Sequence, residues 1–506
     1  MSRRSPDDMD AWILGSGVPS LTAAAQLIEK AKVPLTRVHI IETLSKAGGG
    51  TAHAGDPVNG YQYRAEPMPA FDGPCVKNLL SMIPSEMRPD KTADDDIEEF
   101  YEEKYLDGSQ HTRFLVEKSH KVARIDIKQI SLGVQHRLQL HLFVSKPEAS
   151  LGRSRICDHF GESFLKSTYW LILATTAVEF RRYLVRFRHN MDALLDPRYL
   201  DRGRFNRHEA ITLPVAHFLQ ARGVDFRFRT RVADIVVDDG PDSHHVSAIQ
   251  CVKPDESDAI HSIPVRRNDI VIVSLGSVMS GQMAGTNTTA PSLEQIKTGD
   301  KDLDENWLLW LELSTKDPKF GNAYNFCTRM SESRLQTFTV TLRSREFFNR
   351  FGELTGDRPR SGSFVTLKES SWLLSVSLPQ QPLFGDQPAE VQVFWGYALR
   401  PERCGDYVKK PMVECAGEEI MRELLSHLKF PEETILPHSI AIPCIVPRMT
   451  AALLPRDAED RPQIVPQGMM NMALIGQFVE IEEEMVATMD YGVRSAQMAV
   501  DRLMGL

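Results

Sequence analysis

The most constraining residues of this chain lie within its first 42. Ala11-Trp12-Ile13-Leu14 is a short apolar run that stops at Gly15, which reads as a buried strand. Gly15-Ser16-Gly17-Val18-Pro19-Ser20 then opens an Ala-rich helix over residues 20 to 32, with Leu21, Ala24, Leu27 and Ile28 on one face. Val38-His39-Ile40-Ile41 reads as a second strand. Strand, turn, helix and strand within about 32 residues is the size of a βαβ unit. In such a unit Gly15 permits the tight turn, and Gly17 lets the backbone approach a pyrophosphate seated on the helix N-terminus. Pro19 is tolerated there because a first-turn N–H has no intrahelical partner. Ser20 stands at the third small position and keeps helix and strand close. Glu42 ends the second strand, 25 residues after Gly17, where a carboxylate accepts bonds from a ribose diol.

Later segments extend this site. Gly48-Gly49-Gly50-Thr51 follows Glu42 as a second phosphate-adjacent loop would. Ile270 to Val273 leads to Gly276-Ser277, and Met472-Ala473-Leu474-Ile475 ends in Gly476-Gln477. A late strand–glycine segment covering the flavin end favours FAD over NAD. Between these points, residues 160 to 195 look helical. Strands are expected at Val224 to Phe228, Val232 to Val237, Val246 to Val252, Thr337 to Leu342, Ser371 to Val376 and Val391 to Trp395. A terminal helix is expected from about residue 485 to 504. Dinucleotide-type units at both ends predict an α/β fold assembled from distant segments.

Composition narrows the class. With 506 residues, of which 42% are hydrophobic and 25% charged, the chain is ordinary globular material. That excludes disordered, collagen-like and disulfide-scaffold proteins. A net charge of -9 argues against binding nucleic acid. The seven cysteines are scattered with no Cys-x-x-Cys pair, so no metal site is expected and buried reduced thiols in a cytoplasmic protein are. The N-terminus has no apolar stretch of the signal-peptide kind. The longest apolar run, Trp170 to Val178, is far short of the roughly 20 residues that span a bilayer. Asp94 to Phe100 reads as a solvated acidic helix face.

With these residues in place, the chain resembles the FAD-dependent oleate hydratases, also called the myosin-cross-reactive antigen family. Phe320-Gly321-Asn322, Phe394-Trp395-Gly396-Tyr397, Val408-Lys409-Lys410-Pro411-Met412 and Gly417-Glu418-Glu419-Ile420 carry the likeness. So do Ile442-Pro443-Cys444, Ile475-Gly476-Gln477-Phe478-Val479-Glu480 and Val493 to Met498, together with Ser81 to Ser85 and Glu179 to Leu184. The resemblance implies a Rossmann-like FAD lobe, expected at 1–75, 225–290 and 465–506. A substrate lobe and helical cap are expected at 76–224 and 291–464. It implies FAD contacts at Gly15, Gly17, Ser20, Glu42, Gly49, Gly50, Thr51, Arg64, Ser277, Gly476, Gln477, Phe478 and Glu480. Thr450, in Pro447-Arg448-Met449-Thr450, is carried as a substrate contact. The implied reaction adds water across a cis double bond of an unsaturated fatty acid. In it a glutamate orients the water, a tyrosine protonates the alkene and no net redox occurs. Preorganised charge in a dry tunnel suits such a step, since a carbocation develops. The implied partners are an unsaturated fatty acid or related lipid and a second copy in a homodimer. Many bacterial relatives carry a C-terminal tail associated with membranes. Because this sequence ends soon after Met498, membrane contact is expected to be peripheral at most.

Both catalytic positions differ from the family pattern. The family's glutamate loop reads Tyr63-Arg64-Ala65-Glu66-Pro67-Met68-Pro69 here. Counting back from Ile83 without a gap places Met68 at the glutamate position, whereas a shortened loop places Glu66 there. Phe205-Asn206-Arg207-His208-Glu209 puts His208 in register with the family's tyrosine. Glu66 as water-handling carboxylate and His208 as proton donor restore an acid/base pair. A double-bond isomerase, a flavin oxidoreductase on a lipid or secondary metabolite, and a non-catalytic FAD- and lipid-binding homologue are the competing readings.

Overall fold

A computed structural model describes residues 4–51, 54–63, 73–105, 114–118, 120–125, 134–161, 176–187, 206–240, 243–253, 255, 257–293, 303–357, 364–448, 454–486 and 489–506. Five strands form a parallel sheet: β1 (Ala11–Leu14), β2 (Val38–Ile41), β3 (Asp225–Arg227), β4 (Ile270–Ser274) and β5 (Met472–Ile475). Their order is β5-β4-β1-β2-β3, with every neighbouring pair parallel. All four residues of β1 and of β5 are buried. Cover on both faces is why these strands read as unbroken apolar runs rather than alternating ones. Helix α1 (Val18–Glu29) packs against the C-terminal helix α7 (Met489–Met504), so the two ends of the chain share one layer. The α/β, Rossmann-like expectation is met.

An eight-stranded sheet carries the rest of the core. Its order is Met283–Ala284, Ser439–Val446, Leu335–Leu342, Gln392–Ala398, Leu374–Ser377, Phe364–Leu367, Phe114–Lys118 and Lys121–Ile125. It is antiparallel except where Phe364–Leu367 runs alongside Phe114–Lys118. Strand Gln392–Ala398 is buried throughout, and its side chains alternate between two cores. Phe394 and Ala398 join a cluster with Phe347, Leu424 and other residues of the flanking helices. Val393, Trp395 and Tyr397 join Tyr61, Tyr63, Leu383, Phe384 and Cys444 on the opposite side. Among the described residues, a three-stranded antiparallel sheet, Arg231–Asp239, His244–Lys253 and Ser257–Pro264, completes the strand architecture apart from one short hairpin, Ala54–Asp56 with Gly60–Gln62.

The helix expected over 160–195 is seen at Ala177–Phe187 (here α4); 162–175 and 188–205 lie outside the described residues. The acidic segment forms the helix Ala93–Tyr105. Cys251, Cys327, Cys415 and Cys444 are buried, but Cys157 and Cys404 are exposed, so the buried-thiol expectation fails at those two. Among the described residues, no helix is long and apolar enough to cross a membrane.

Candidate cofactor and active site

The C-terminal ends of β1, β4 and β5 open onto a cavity of about 660 Å³. Gly15, at φ 98°, turns the chain sharply out of β1 in a region that favours glycine. Gly17 is the N-cap of α1, and no side chain caps that terminus. Its first-turn N–H groups are therefore available to an anion. A Cβ built on Gly17 would meet only Pro19 Cδ at 3.8 Å, so the protein itself does not require glycine there. A bound pyrophosphate would. Gly48, Gly49 and Gly50 line the same cavity. The Gly48 N–H donates to the Ser16 carbonyl at 3.0 Å and the Ser16 hydroxyl at 3.1 Å, which fixes this second turn beside the first.

Glu42 is buried at the end of β2. One carboxylate oxygen accepts the Ser16 N–H at 2.9 Å and the Ser16 hydroxyl; the other accepts the Leu44 N–H at 2.8 Å. The first oxygen is thereby saturated, and the second keeps capacity for one more donor, which suits a ribose hydroxyl. Among the described lining residues none is Lys, Arg or His, whereas Glu42, Asp304 and Glu305 are acidic. Among the described residues, a dinucleotide phosphate would therefore rest on backbone N–H groups and the α1 dipole. These residues fit FAD.

Ser277, Gly476, Gln477 and Phe478 also line the cavity. Phe478 is held edge-on by Trp307 at 4.8 Å between ring centroids, and Trp307 stacks on Trp310 at 5.4 Å. Ser20 is fully buried outside the lining, packed beneath the Gly15 turn. Thr51 closes a short helical turn, Gly49–Thr51. Arg64, Glu66 and Thr450 lie outside the described residues. Both ends of the Glu66 loop are nevertheless anchored. The Tyr63 N–H donates to Thr339 Oγ1 at 2.9 Å, and Asp490 accepts the N–H groups of Cys75 and Val76 at 2.9 and 3.1 Å.

Glu480 departs from the expectation. It is absent from the cavity lining, and its carboxylate is taken up by arginines instead. Arg182 lies at 2.7 Å, Arg461 at 2.6 Å and Arg456 at 3.1 Å. Glu179 on α4 completes the cluster. It accepts from Arg456 and Arg461, both at 3.1 Å, and from the N–H of Val486 at 3.2 Å. Burial raises the Glu179 carboxyl, but Arg461, Arg456 and Arg182 outweigh it and hold the pKa below the ordinary value. Val486 lines the cavity. Glu480 is thus a clamp on the cavity-facing segment 476–486. A partner such as Arg182, almost 300 residues away, could not be read from local spacing.

His208 is buried at the start of a π-helical turn, His208–Thr212. Such turns are rare and frequent at functional sites. Asn206 ties its entry to Leu383, with N–H and side-chain amide donating to the Leu383 carbonyl at 2.9 and 3.0 Å. Glu209 accepts the Gly385 N–H at 2.7 Å. The imidazole abuts Gly48: a Cβ there would come within 2.7 Å of His208 Cε1. His208 therefore stands directly behind one glycine of the cavity wall. Next to the cavity lies the aromatic cluster of Tyr61, Tyr63, Phe384, Trp395 and Tyr397, joined to it through Met279. Tyr63 meets Trp395 edge-on at 5.7 Å, and Tyr61 stacks on Phe384 at 4.4 Å.

Asp304 was not expected. It caps helix α5 (Glu305–Lys316), accepting the Trp307 N–H at 3.2 Å, and lines the cavity. Burial pushes its carboxyl up to about 6, Glu305 adding to the rise and Ser277, Trp307 and Arg448 opposing it. The folded state thus holds this proton where an unfolded chain, near 3.9, has released it. The stability this contributes is present below pH 4 and lost as pH rises through about 6. Asp304→Asn keeps the cap and should gain on wild type by up to about 3 kcal/mol between pH 4 and 7. Urea unfolding of the cofactor-free proteins at both pH values measures this, and a pH-independent difference would contradict it.

One set of possible metal ligands occurs among the described residues: Asp406, Glu423 and His427. Glu423 already accepts the N–H groups of Asp406, Tyr407 and Val408 at 2.7, 2.9 and 2.6 Å. Glu423 is thereby a clamp on that loop.

The MCRA family model matches residues 8–500. An oleate hydratase from Streptococcus pyogenes serotype M49 (strain NZ131) is 30% identical over 524 aligned residues, covering 98% of this chain and 86% of that protein. A linoleate hydratase from Lactiplantibacillus plantarum is 24% identical, covering 98% and 94%. Two solved structures share the fold at 13% identity. One is a cyclohexylamine oxidase from Brevibacterium oxydans IH-35A, with a TM-score of 0.54, covering 98% of this chain and 99% of that one. The other is an oxidoreductase from Methanosarcina mazei, with a TM-score of 0.52, covering 97% and 100%. The residues that first suggested the resemblance and the match along nearly the whole chain agree: this protein belongs to the MCRA family, the family of the oleate hydratases.

Proposed function

We propose that this chain binds FAD in the cavity above β1, β4 and β5 and adds water to a cis double bond of an unsaturated fatty acid. The observation that carries this reading is the contact between a cofactor-sized cavity and a buried aromatic cluster. A dinucleotide cradle built on Gly17 and Glu42 shares Met279 with a buried aromatic cluster. Family membership supplies the reaction class. The proposed FAD lobe comprises 1–75, 225–290 and 465–506, with substrate lobe and cap in the remainder.

His208 is assigned as the donor of the proton to one alkene carbon. Glu66, at the anchored loop after Tyr63, is assigned as the carboxylate that orients water toward the other carbon. The proton gained by the alkene and the hydroxide taken from water sum to one water added, with no electrons transferred. The aromatic cluster excludes bulk water, which strengthens every charge interaction at the developing cation. Reduced flavin, when bound, supplies further electrostatic stabilisation beside that cation.

The test is incubation of the protein, loaded with reduced FAD, with a panel of unsaturated fatty acids, followed by mass analysis. A product heavier by one water supports the reading. Turnover without mass gain favours an isomerase, and stoichiometric reduction of oxidised flavin an oxidoreductase. The isomerase reading draws on the His/Glu pair at the two changed catalytic positions.

The cofactor assignment has its own check. The Cβ of Gly17→Val meets no protein atom closely, and the side chain is expected to fill the space of a pyrophosphate. A clash of about 1–3 kcal/mol corresponds to roughly tenfold to hundredfold weaker FAD binding. Flavin titration followed by absorbance reads this directly, and full affinity in the variant would contradict the site.

A further inference from the structure

Helix α6 (Gly417–Leu428) carries Glu423 and His427 four residues apart, which sets both on one face. The loop between Cys404 and Pro411, whose ends meet in a β-bridge, lies against that face. Its Asp406, Tyr407 and Val408 N–H groups all donate to the fully buried Glu423 carboxylate. The approach is close enough that a Cβ on Gly405 would lie 2.5 Å from the Val408 carbonyl oxygen and 3.0 Å from Glu423 Cδ. The loop therefore accounts for Glu423. It does not account for His427.

The His427 side chain is only 9% exposed, and Tyr407 packs edge-on against its ring at 5.1 Å between centroids. Its Nε2 is buried and makes no hydrogen bond among the described residues. A native buried polar atom in that position calls for a partner such as water or an ion. Nε2 is aimed between two carboxylate oxygens, Asp406 Oδ2 at 3.2 Å and Glu423 Oε1 at 3.3 Å. Each of these oxygens accepts one N–H, from Ser371 and from Asp406 respectively, both at 2.7 Å, and so keeps a second lone pair. Three acceptor atoms meet here, which is favourable only around a cation. A proton on Nε2 would be directed along a hydrogen bond to one oxygen, whereas Nε2 stands evenly between the two and is aligned with neither. The spacing suits a metal ion. Tetrahedral bonds of about 2.0–2.2 Å from Zn²⁺ to nitrogen and oxygen place neighbouring ligand atoms roughly 3.3 Å apart. One imidazole with two carboxylates is a donor set for a first-row divalent ion rather than for Ca²⁺, which takes oxygen ligands. Asp406 is 35% exposed, which gives such an ion a way in from solvent.

We propose that Asp406 Oδ2, Glu423 Oε1 and His427 Nε2 bind one divalent transition-metal ion, with a fourth position open to water. The ion pins the loop between Cys404 and Pro411 to α6. None of the three residues lines the cofactor cavity, so the site stands apart from the reaction assigned above. Cysteine spacing gave no sign of it, because none of its ligands is a thiol.

Equilibrium dialysis of the full chain, stripped with EDTA, against Zn²⁺ alone tests this, with the bound metal counted by mass spectrometry. Wild type is expected to hold one Zn²⁺ per chain. His427→Gln and Asp406→Asn should each weaken binding about hundredfold or more, since losing even a group that only orients a metal ligand costs about 10–100-fold. Both variants should keep their circular dichroism and their flavin uptake. Zn²⁺ should raise the unfolding temperature of wild type and leave that of His427→Gln unchanged, because only an ion bound to the folded state stabilises it. Absence of stoichiometric Zn²⁺ in wild type would overturn the proposal and leave a proton or a water to serve His427. Retention of Zn²⁺ by either variant would place the ion elsewhere, such as on the exposed thiols of Cys157 and Cys404, and equally overturn it. Metal is counted without turnover, so failure of either proposal leaves the other standing.

Discussion

His208→Phe is expected to lower turnover about 10²–10⁴-fold while FAD and lipid still bind, the usual cost of losing one general acid. Phenylalanine preserves a flat ring behind Gly48, so the turn that shapes the cofactor cavity should persist. What is lost is the only proton-bearing part of the side chain. Binding and chemistry are separated by measuring KM and kcat together: kcat falls and KM holds. An imidazole donor must be protonated to act, so activity is expected to decline as pH rises, whereas a phenol donor keeps its proton across the neutral range. His208→Tyr, restoring the family residue, should flatten that profile. Unchanged kcat in His208→Phe would remove His208 from the chemistry and leave it a packing residue of the π-helical turn.

Glu179→Gln is expected to cost about 3–5 kcal/mol of stability, because it removes one charge from a buried cluster and leaves its partners uncompensated. Three arginines, Arg182, Arg456 and Arg461, face three glutamates, Glu148, Glu179 and Glu480. Arg461 and Glu179 are almost fully buried, so water cannot take over the missing charge. The glutamine also offers a weaker acceptor to the Val486 N–H. Segment 476–486 should loosen over the cavity, and FAD affinity should fall along with the unfolding free energy. Denaturant unfolding and flavin titration on the same variant measure both. A loss below about 1 kcal/mol would mean that the cluster is well hydrated.

The parts of this protein legible in its sequence are those with one dominant local cause. β1, β2 and β5 begin and end where their apolar runs do, because burial on both faces leaves His39 as the one polar residue among them. The helix expected from residue 20 starts at Val18, since Pro19 is favoured in a first helical turn. The strand expected at Ser371 to Val376 lies at Leu374–Ser377 instead, because Ser370 to Leu373 form a turn with Leu373 at φ 49°. Ser439–Val446 contains Pro443 and does not read as a strand. It is tolerated where the neighbouring strand, Met283–Ala284, ends opposite Cys444. Asp304 was hidden because a helix cap and a cavity-lining acid look alike in sequence. The true partners of Glu480 were hidden because ion pairs across 20 to 300 residues leave no periodicity. The glycines and Glu42 were readable because a phosphate and a ribose impose their demands on consecutive backbone.

The central claim is that water is added beside a flavin that is not consumed. Incubation with oleate and with linoleate in ¹⁸O-labelled water, with catalytic reduced FAD, tests it most directly. The account predicts a hydroxy fatty acid carrying one labelled oxygen, formed in many turnovers per flavin, with the flavin spectrum unchanged at the end. Products lacking the label, or one product per flavin with the spectrum altered, would contradict it.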